Sequence, residues 1–314
     1  MKLIKEKKGA ALIITLLVIT TLTGLVIGFS RESGTELNLS GYSRDSHRAY
    51  QAAGTGISFA LSLLDRDQDR NVDSLDDEWN RFGEIPFPES LPPEISFTGR
   101  IRDESGKLNV NFLRDETGAI GADGESRISI LFNALELPEY LVDPLLDWLD
   151  GDDIKRLDGA ESYYYRNLGI PYDCANSPLL TIRQIFLVKG FNLYSLKNGE
   201  TGLLDYITIH TDGKININTA SREVLQSIGE GLDAESADAI IQYRKMRPFS
   251  NPDDLKNVAG INADLYDKIK EFITVNSGAF SIEVEGRCLE AVAQISAVAV
   301  REDDGINFTY WRVL

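Results

Sequence analysis

The apolar positions are spaced in three ways along the chain. Residues 9–29 form an uncharged, largely apolar run with lysines before it and Arg31 after it. At about 1.5 Å per residue the run spans about 30 Å, the thickness of a bilayer's hydrocarbon core. Residues 35–65 carry Leu37, Leu39, Tyr42, Ala49, Ala52, Ala53, Ile57, Ala60, Leu61 and Leu64, a spacing that predicts one apolar face of a helix. The end of the chain alternates instead. Ala279–Arg287 places Phe280, Ile282 and Val284 on one face, Ala291–Arg301 is apolar and β-branched, and Ile306–Val313 alternates again. Gly286 and Asp303-Asp304-Gly305 are the expected turns of a three-stranded meander, and Glu94–Asp103 adds a strand after the proline-rich stretch 86–93.

Between these parts the pattern is mostly helical and it repeats. Gly106-Lys107-Leu108-Asn109-Val110-Asn111 recurs as Gly213-Lys214-Ile215-Asn216-Ile217-Asn218. Helical segments 127–137 and 139–149 follow the first copy, and 221–229 and 233–245 follow the second. Each unit then closes on a helix ending in Val-x-Gly, at Gly190 and Gly260, where glycine fits the left-handed position that ends a helix.

Lys2, Lys5, Lys7 and Lys8 precede the apolar run, so the positive-inside rule keeps residues 1–8 in the cytoplasm and puts everything after Arg31 on the other side. A cleaved secretory signal would have a shorter apolar core and small residues at its far end. Here Gly9, Ala10 and Ala11 come first. A plain signal anchor stays open on hydropathy alone.

A net charge of −17 disfavours nucleic acid as a partner. The two histidines, His47 and His210, sit in no catalytic arrangement, and there is no phosphate loop or zinc spacing, so no enzyme is expected. Cys174 and Cys288 could form one disulfide in an oxidising compartment or be separate buried thiols. Asp67-x-Asp69-x-Asn71 with Glu78 mimics a calcium loop but has Val72 where the sharp turn needs glycine, so it reads as a solvated charged turn. Asp147, Asp150, Asp152, Asp153 and Glu161, around Gly151 and Gly159, could gather the six to eight oxygens that calcium takes. A solvated acidic loop is the alternative.

Lys7-Lys8-Gly9-Ala10-Ala11-Leu12-Ile13-Ile14 resembles the processing site of type IV prepilins. The resemblance implies cleavage by prepilin peptidase between Gly9 and Ala10 and methylation of the new terminus. Cleavage removes four lysines and one glutamate, taking the side-chain charge from −17 to −20. Most prepilins carry glutamate at the fifth mature position, and this chain has Ile14. That departure, the large insertion, and the tract Leu146–Asp152 with Gly159–Tyr164 resemble the minor pseudopilin K family of type II secretion. The resemblance implies a fold of class α+β, with an N-terminal transmembrane and spine helix on a small antiparallel pilin-like sheet and a large helical domain of two repeated modules inserted in that sheet. The expected parts are a leader at 1–9, a transmembrane helix at 10–30, a head at 31–110 and 275–314, and an inserted domain at 111–274.

The same resemblance implies calcium in the helical domain and a single-pass bacterial inner-membrane protein with its head in the periplasm. It implies a place at the pseudopilus tip, initiating or capping the filament that drives protein export across the outer membrane. The implied partners are the other minor pseudopilins of the tip, reached through Leu37, Leu39, Ala49, Ala52, Ala53 and Ile57 of the spine, the major pseudopilin, the inner-membrane secretion platform and membrane lipid. A minor pilin of a type IV pilus is an alternative. So is a membrane-anchored DNA receptor, because Asn216–Ser221 through Val258–Ile261 is similar to the helix-hairpin-helix of DNA-uptake proteins and Arg244, Lys245 and Arg247 form a small basic cluster. Mass spectrometry of protein extracted from membranes that contain prepilin peptidase should find Ala10 at the N-terminus; an intact Met1 would refute the processing site.

Overall fold

The computed structural model describes residues 3–67, 69–85, 92–192, 196–198, 201–302 and 305–314. It opens with helix α1, Leu3–Asp65, 63 residues long and so about 95 Å from end to end. From Leu12 to Phe29 the apolar side chains of α1 are exposed, and it is the one described helix long and apolar enough to cross a membrane. Thr15, Thr20, Thr21 and Thr23 donate their hydroxyls to carbonyls three or four residues back, so these polar groups are satisfied within the helix. From Ala49 onward α1 changes character: Ala49, Ala52, Ala53, Ile57, Ala60 and Leu64 are buried.

Strand β1 (Ile95–Asp103) follows, then the short β2 (Leu108–Asn109). The helical part holds α2 (Ala122–Ala134), α3 (Val142–Leu149) and α4 (Ser162–Arg166). Next come the short strands β3 (Lys197–Asn198), β4 (Thr201–Gly202), β5 (Ile207–Thr208) and β6 (Ile215–Asn216). Helices α5 (Arg222–Gln226), α6 (Ala234–Met246) and α7 (Ala263–Ile269) lead to β7 (Ile273–Thr274). The chain ends in β8 (Ala279–Cys288), β9 (Ala291–Glu302) and β10 (Gly305–Val313).

The main sheet is antiparallel in the order β1-β8-β9-β10. One face carries Phe97, Ile101, Phe280, Ile282, Val284, Ile295, Ala297 and Ala299, and α1 packs on it through Ala53, Ile57, Ala60 and Leu64. The approach is close. A side-chain carbon at Gly286 would lie 2.1 Å from Ala49 O and 2.4 Å from Ala53 N. Gly286 is therefore not a turn, as its sequence suggested, but a mid-strand gap that admits the helix backbone. The β8–β9 turn falls at Leu289, whose φ is 54°, and Asp303 and Asp304 lie outside the described residues. The expected partner-facing set is also corrected: Ala49, Ala52, Ala53 and Ile57 face this chain's own sheet, whereas Leu37 and Leu39 are exposed.

Everything between β1 and β8 belongs to the inserted unit, whose core runs from Leu108 to Val275. Residues 104–110 and 275–278, expected in the head, lie in this unit, because Leu108, Val110 and Val275 contribute to its core and β2 pairs with β5. The repeat is structural. β2 pairs in parallel with β5, and β6 with β7. In the first copy Asn111 Nδ2 donates to Leu179 O at 3.0 Å and Leu179 N donates back to Asn111 Oδ1 at 2.8 Å. In the second, Asn218 and Phe249 exchange the same bonds at 3.0 and 2.8 Å. The closing segments are 3-10 turns, Ile182–Leu187 and Pro252–Asn257, followed by Gly190 at φ 85° and Gly260 at φ 89°.

Buried polar groups join the two units. Asp103 Oδ2 accepts from Ser277 Oγ at 2.6 Å and Thr219 Oγ1 at 2.5 Å, and its Oδ1 accepts from Ser105 N at 2.7 Å. Asp67 and Asp73 both hold Arg301, at 2.9 and 2.7 Å, and Asp73 is fully buried, while Asp69, Asn71 and Glu78 of the expected solvated turn are exposed. Ala53→Glu would bury an unpaired charge and should destabilise the head by about 3–5 kcal/mol, whereas Leu37→Glu, on the bare part of α1, should stay within about 0.5 kcal/mol. Thermal melts of the two variants check this.

Candidate metal centre

Helix α3 is apolar on nearly every side, with Leu145, Leu146, Trp148 and Leu149 buried. Asp147, in its last turn, is thereby carried into the interior and is fully buried. The chain leaves α3 at Asp150, where Gly151 N donates to Gly118 O at 3.0 Å, and returns to Glu161, which starts α4. A side-chain carbon at Gly159 would lie 1.8 Å from Asp147 Oδ2, so only glycine lets the returning strand pass.

The result is a cluster of three buried carboxylates. Asp147, Asp150 and Glu161 each offer an oxygen, and these oxygens lie within 4.8 Å of one another. Asp147 accepts from Arg156 N at 3.2 Å and faces Arg156 Nε at 3.6 Å. Asp150 Oδ1 and both oxygens of Glu161 are buried without a hydrogen-bond partner. Burial, reinforced by the neighbouring carboxylates, pushes Glu161 up to about 8 and Asp150 to about 6, and burial also raises Asp147. Arg156 also pairs with Glu125 at 2.7 Å, so the guanidinium beside Asp147 is shared with an acid outside the cluster.

Asp152 and Asp153, expected in this set, are not in it. Asp152 Oδ1 accepts from Ile154 N at 2.7 Å, and Asp153 Oδ1 accepts from Asn176 Nδ2 at 3.2 Å. Asn176 lies beside Asp152 and Asp153, its Nδ2 donating to both. Its Oδ1 is buried without a partner, and its backbone takes the left-handed conformation at φ 44°, which asparagine tolerates better than most residues. Nothing in its surroundings, Cys-Ala-Asn-Ser-Pro, marks it as a ligand. Hard oxygen donors are what calcium takes, and the orphaned oxygens of Asp150 and Glu161 fit such an ion.

Cys174 lies behind the cluster, its Sγ 3.5 Å from Asp147 O, while Cys288 sits beside Ala49 and Ala291 in another core. Both are free thiols, and burial pushes Cys174 up to about 12. The basic cluster of the second repeat is partly consumed within the fold. Arg244 NH1 donates to Ile217 O and Ala220 O, both at 2.8 Å, which leaves Lys245 and Arg247 exposed. The hairpin tip carries Glu230, which accepts from Ser126 of the first repeat at 3.1 Å. Ile14 stands exposed on α1.

Three family models match consecutive parts of the chain: PilX N-terminal over residues 8–58, type II secretion system protein K over 106–209, and the helix-hairpin-helix motif over 211–274. Type II secretion system protein K of Aeromonas hydrophila is 28% identical over 238 residues, 70% of this chain and 69% of that protein. Its counterpart from Pectobacterium carotovorum subsp. carotovorum is 24% identical over 310 residues, 90% of this chain and 89% of that protein. The fold matches a chain in the crystal structure of the GspK-GspI-GspJ complex from enterotoxigenic Escherichia coli with a TM-score of 0.69 at 20% identity, over 88% of this chain and 99% of that one. A long bare helix on an antiparallel sheet, with these matches, is similar to type II secretion system protein K. The likeness to protein K extends over most of the chain.

With divalent cations chelated, the melting temperature should fall as pH rises from about 4.5 to about 8. Glu161 titrates near 4.5 unfolded and about 8 folded, so the stability given by its bound proton is complete below the first value and lost through the second. Glu161→Gln should flatten this dependence and raise the melting temperature at pH 8 in chelator.

Proposed function

We propose that this chain is the tip subunit of a type II secretion pseudopilus, anchored in the inner membrane by α1 with its head in the periplasm. Prepilin peptidase would cut between Gly9 and Ala10 and methylate Ala10. The observation that carries the tip assignment is Ile14 on a helix that has no carboxylate from Ala10 to Arg31. In pilins the glutamate at this position pairs with the terminal amine of a neighbour, and an unpaired charge within the bilayer is costly. A subunit with nothing beyond it has no use for that carboxylate. The inserted unit, residues 104–278, supports the same place, since its bulk could not recur along a tightly packed shaft.

The other minor pseudopilins are the direct partners in this reading; the protein K of matching fold was solved together with GspI and GspJ. The major pseudopilin, the inner-membrane platform and lipid lie below. The helix-hairpin-helix serves as a packing element, because Arg244 is spent on internal carbonyls and the hairpin tip is acidic. Co-purification from membranes should recover this chain with other minor pseudopilins and in far smaller amount than the major subunit. Recovery at regular intervals along the shaft would overturn the tip assignment.

We further propose that Asp147, Asp150 and Glu161 hold calcium. The ion would supply the positive charge that the three buried carboxylates lack. Asp147 and Asp150 fix one side of the turn, and Glu161 fixes the return. Calcium at a hundredfold excess over Kd should stabilise the protein by about 2.7 kcal/mol. Thermal melts with calcium and with chelator test this, and the Asp150→Ala variant should lose the difference.

A further inference from the structure

The face of the main sheet that turns away from α1 meets the inserted unit along only part of its length. At one end Arg102 of β1 pairs with Asp205 of the insertion at 2.9 Å, and Val298 of β9 is buried. Beyond that contact a cleft of about 550 Å³ opens, with the four strands as its floor and Arg183 of the first repeat on its wall. The register orders the floor. One row across the strands runs Arg100, Glu283, Ser296, Arg312, and the next carries Glu285 beside Gln294. The acids of this floor are already bonded. Arg100 holds Glu283 at 2.6 Å, and Arg287 and Gln294 both donate to Glu285 at 2.7 Å. Two of the cations are not. Arg183 and Arg312 bond to no acid among the described residues, and the Ser296 and Tyr310 hydroxyls of the same cleft have no bonded partner there either.

Charge and spacing decide what fits there. In a chain of net charge −17, a cleft whose unspent charge is positive selects an anion. Guanidinium groups take carboxylates through paired N–H donors. Further along the floor the chemistry reverses. Glu283 and Glu285 keep lone pairs that accept N–H groups, and their charge repels a compact multivalent anion such as phosphate. A ligand with a carboxylate at one place and N–H donors along its length satisfies both parts, and an extended peptide is such a ligand. Adjacent strands lie about 4.8 Å apart, so Arg312 on β10 is about 10 Å from Glu283 on β8. Three residues of extended chain, at about 3.3 Å each, cover that distance. The volume lies within the range of about 300–1,000 Å³ in which ligand sites fall.

We propose that this cleft binds an extended acidic peptide segment laid across the strands, its carboxylate held by Arg183 and Arg312 and its backbone N–H groups turned toward Glu283 and Glu285. Arg183 belongs to the insertion and Arg312 to the last strand of the head, so the site exists only where the two units close on one another. It lies on the face of the sheet opposite α1 and does not depend on the place of the chain in a filament.

The test uses the full-length chain in detergent at neutral pH and about 0.15 M salt, where exposed charges more than about 8 Å away are largely screened. The probe is a rhodamine-labelled, end-capped hexapeptide with two central glutamates, and its anisotropy should rise as protein is added. The same peptide with glutamines in their place should bind about tenfold more weakly or worse. Arg183→Gln and Arg312→Gln should each weaken binding of the glutamate peptide by about tenfold or more. Arg183 is exposed and has no bonded partner to lose, so its variant should keep the melting temperature, which separates lost binding from lost folding. Lys245→Gln, on an exposed lysine of the second repeat, should leave binding unchanged. No rise in anisotropy overturns the site, as does equal binding of the two peptides or unchanged binding by both arginine variants. Displacement of the peptide by an equal concentration of inorganic phosphate overturns it as well.

Discussion

Strand β1 meets β8 only after the chain has passed through residues 104–278, and the register of that pairing fixes where every other part lies. Closing so long a loop costs entropy that grows only slowly with length, but the cost still has to be met. The inserted unit meets it by bringing its own ends together. Glu104 N donates to Ala279 O at 2.9 Å, Asn216 N to Ser105 O at 2.8 Å, and Gly278 N to Ser105 Oγ at 3.2 Å. Asp103 closes the joint as the last residue of β1. Burial pushes its carboxyl up to about 6, and the donors gathered around it oppose that shift. Arg301 of β9 reaches into the same joint, pairs with Asp73 and Asp67, and lies over the Phe280 ring at 4.6 Å. The head and the insertion thus share a buried polar seam, and the geometry of one constrains the other.

The two copies inside the insertion differ in the connection that follows their second helix. Both have the same hairpin between their helices, with Glu136 at φ 54° in the first and Gly231 at φ 96° in the second. Beyond it the second copy passes from Met246 at the end of α6 almost directly to Phe249. The first copy makes a long excursion from Asp150 before reaching the equivalent Leu179. That excursion carries Glu161, Cys174 and Asn176. The acidic centre is therefore an elaboration of one copy of a packing module, and the second copy, without the excursion, has no such cluster among the described residues.

Helix α1 is one continuous element in two environments. Its first part displays leucine, isoleucine and valine on all sides, as a helix surrounded by lipid must. Its second part narrows to alanine and glycine where it meets the sheet. A side-chain carbon at Gly56 would lie 2.6 Å from Val284, and one at Gly286 would meet the helix backbone. Small residues on both sides replace interdigitated large ones, so the helix is seated by shape, and a single added side chain at either position would lift it off the sheet.

Several features were determined by the sequence alone: the long apolar helix, the terminal meander, the duplicated Gly-Lys-x-Asn-x-Asn unit and the acidic loop. Each rests on spacing within one segment, and the chemistry of neighbours a few residues apart sets it. Tertiary structure decided matters that depend on segments far apart in the chain. It chose Asp147, Asp150 and Glu161 over Asp152 and Asp153, because the end of a buried helix and the return of its loop aim only those three inward. It buried the Asn176 Oδ1 without a partner, which has no signature in that residue's own segment. It turned Gly286 from an expected turn into a gap for a helix and put Arg301 against the acids after α1. It also turned Ala53 inward and left Phe308 and Trp311 half exposed, because the face of a strand or helix is known only once the partner that covers it is in place.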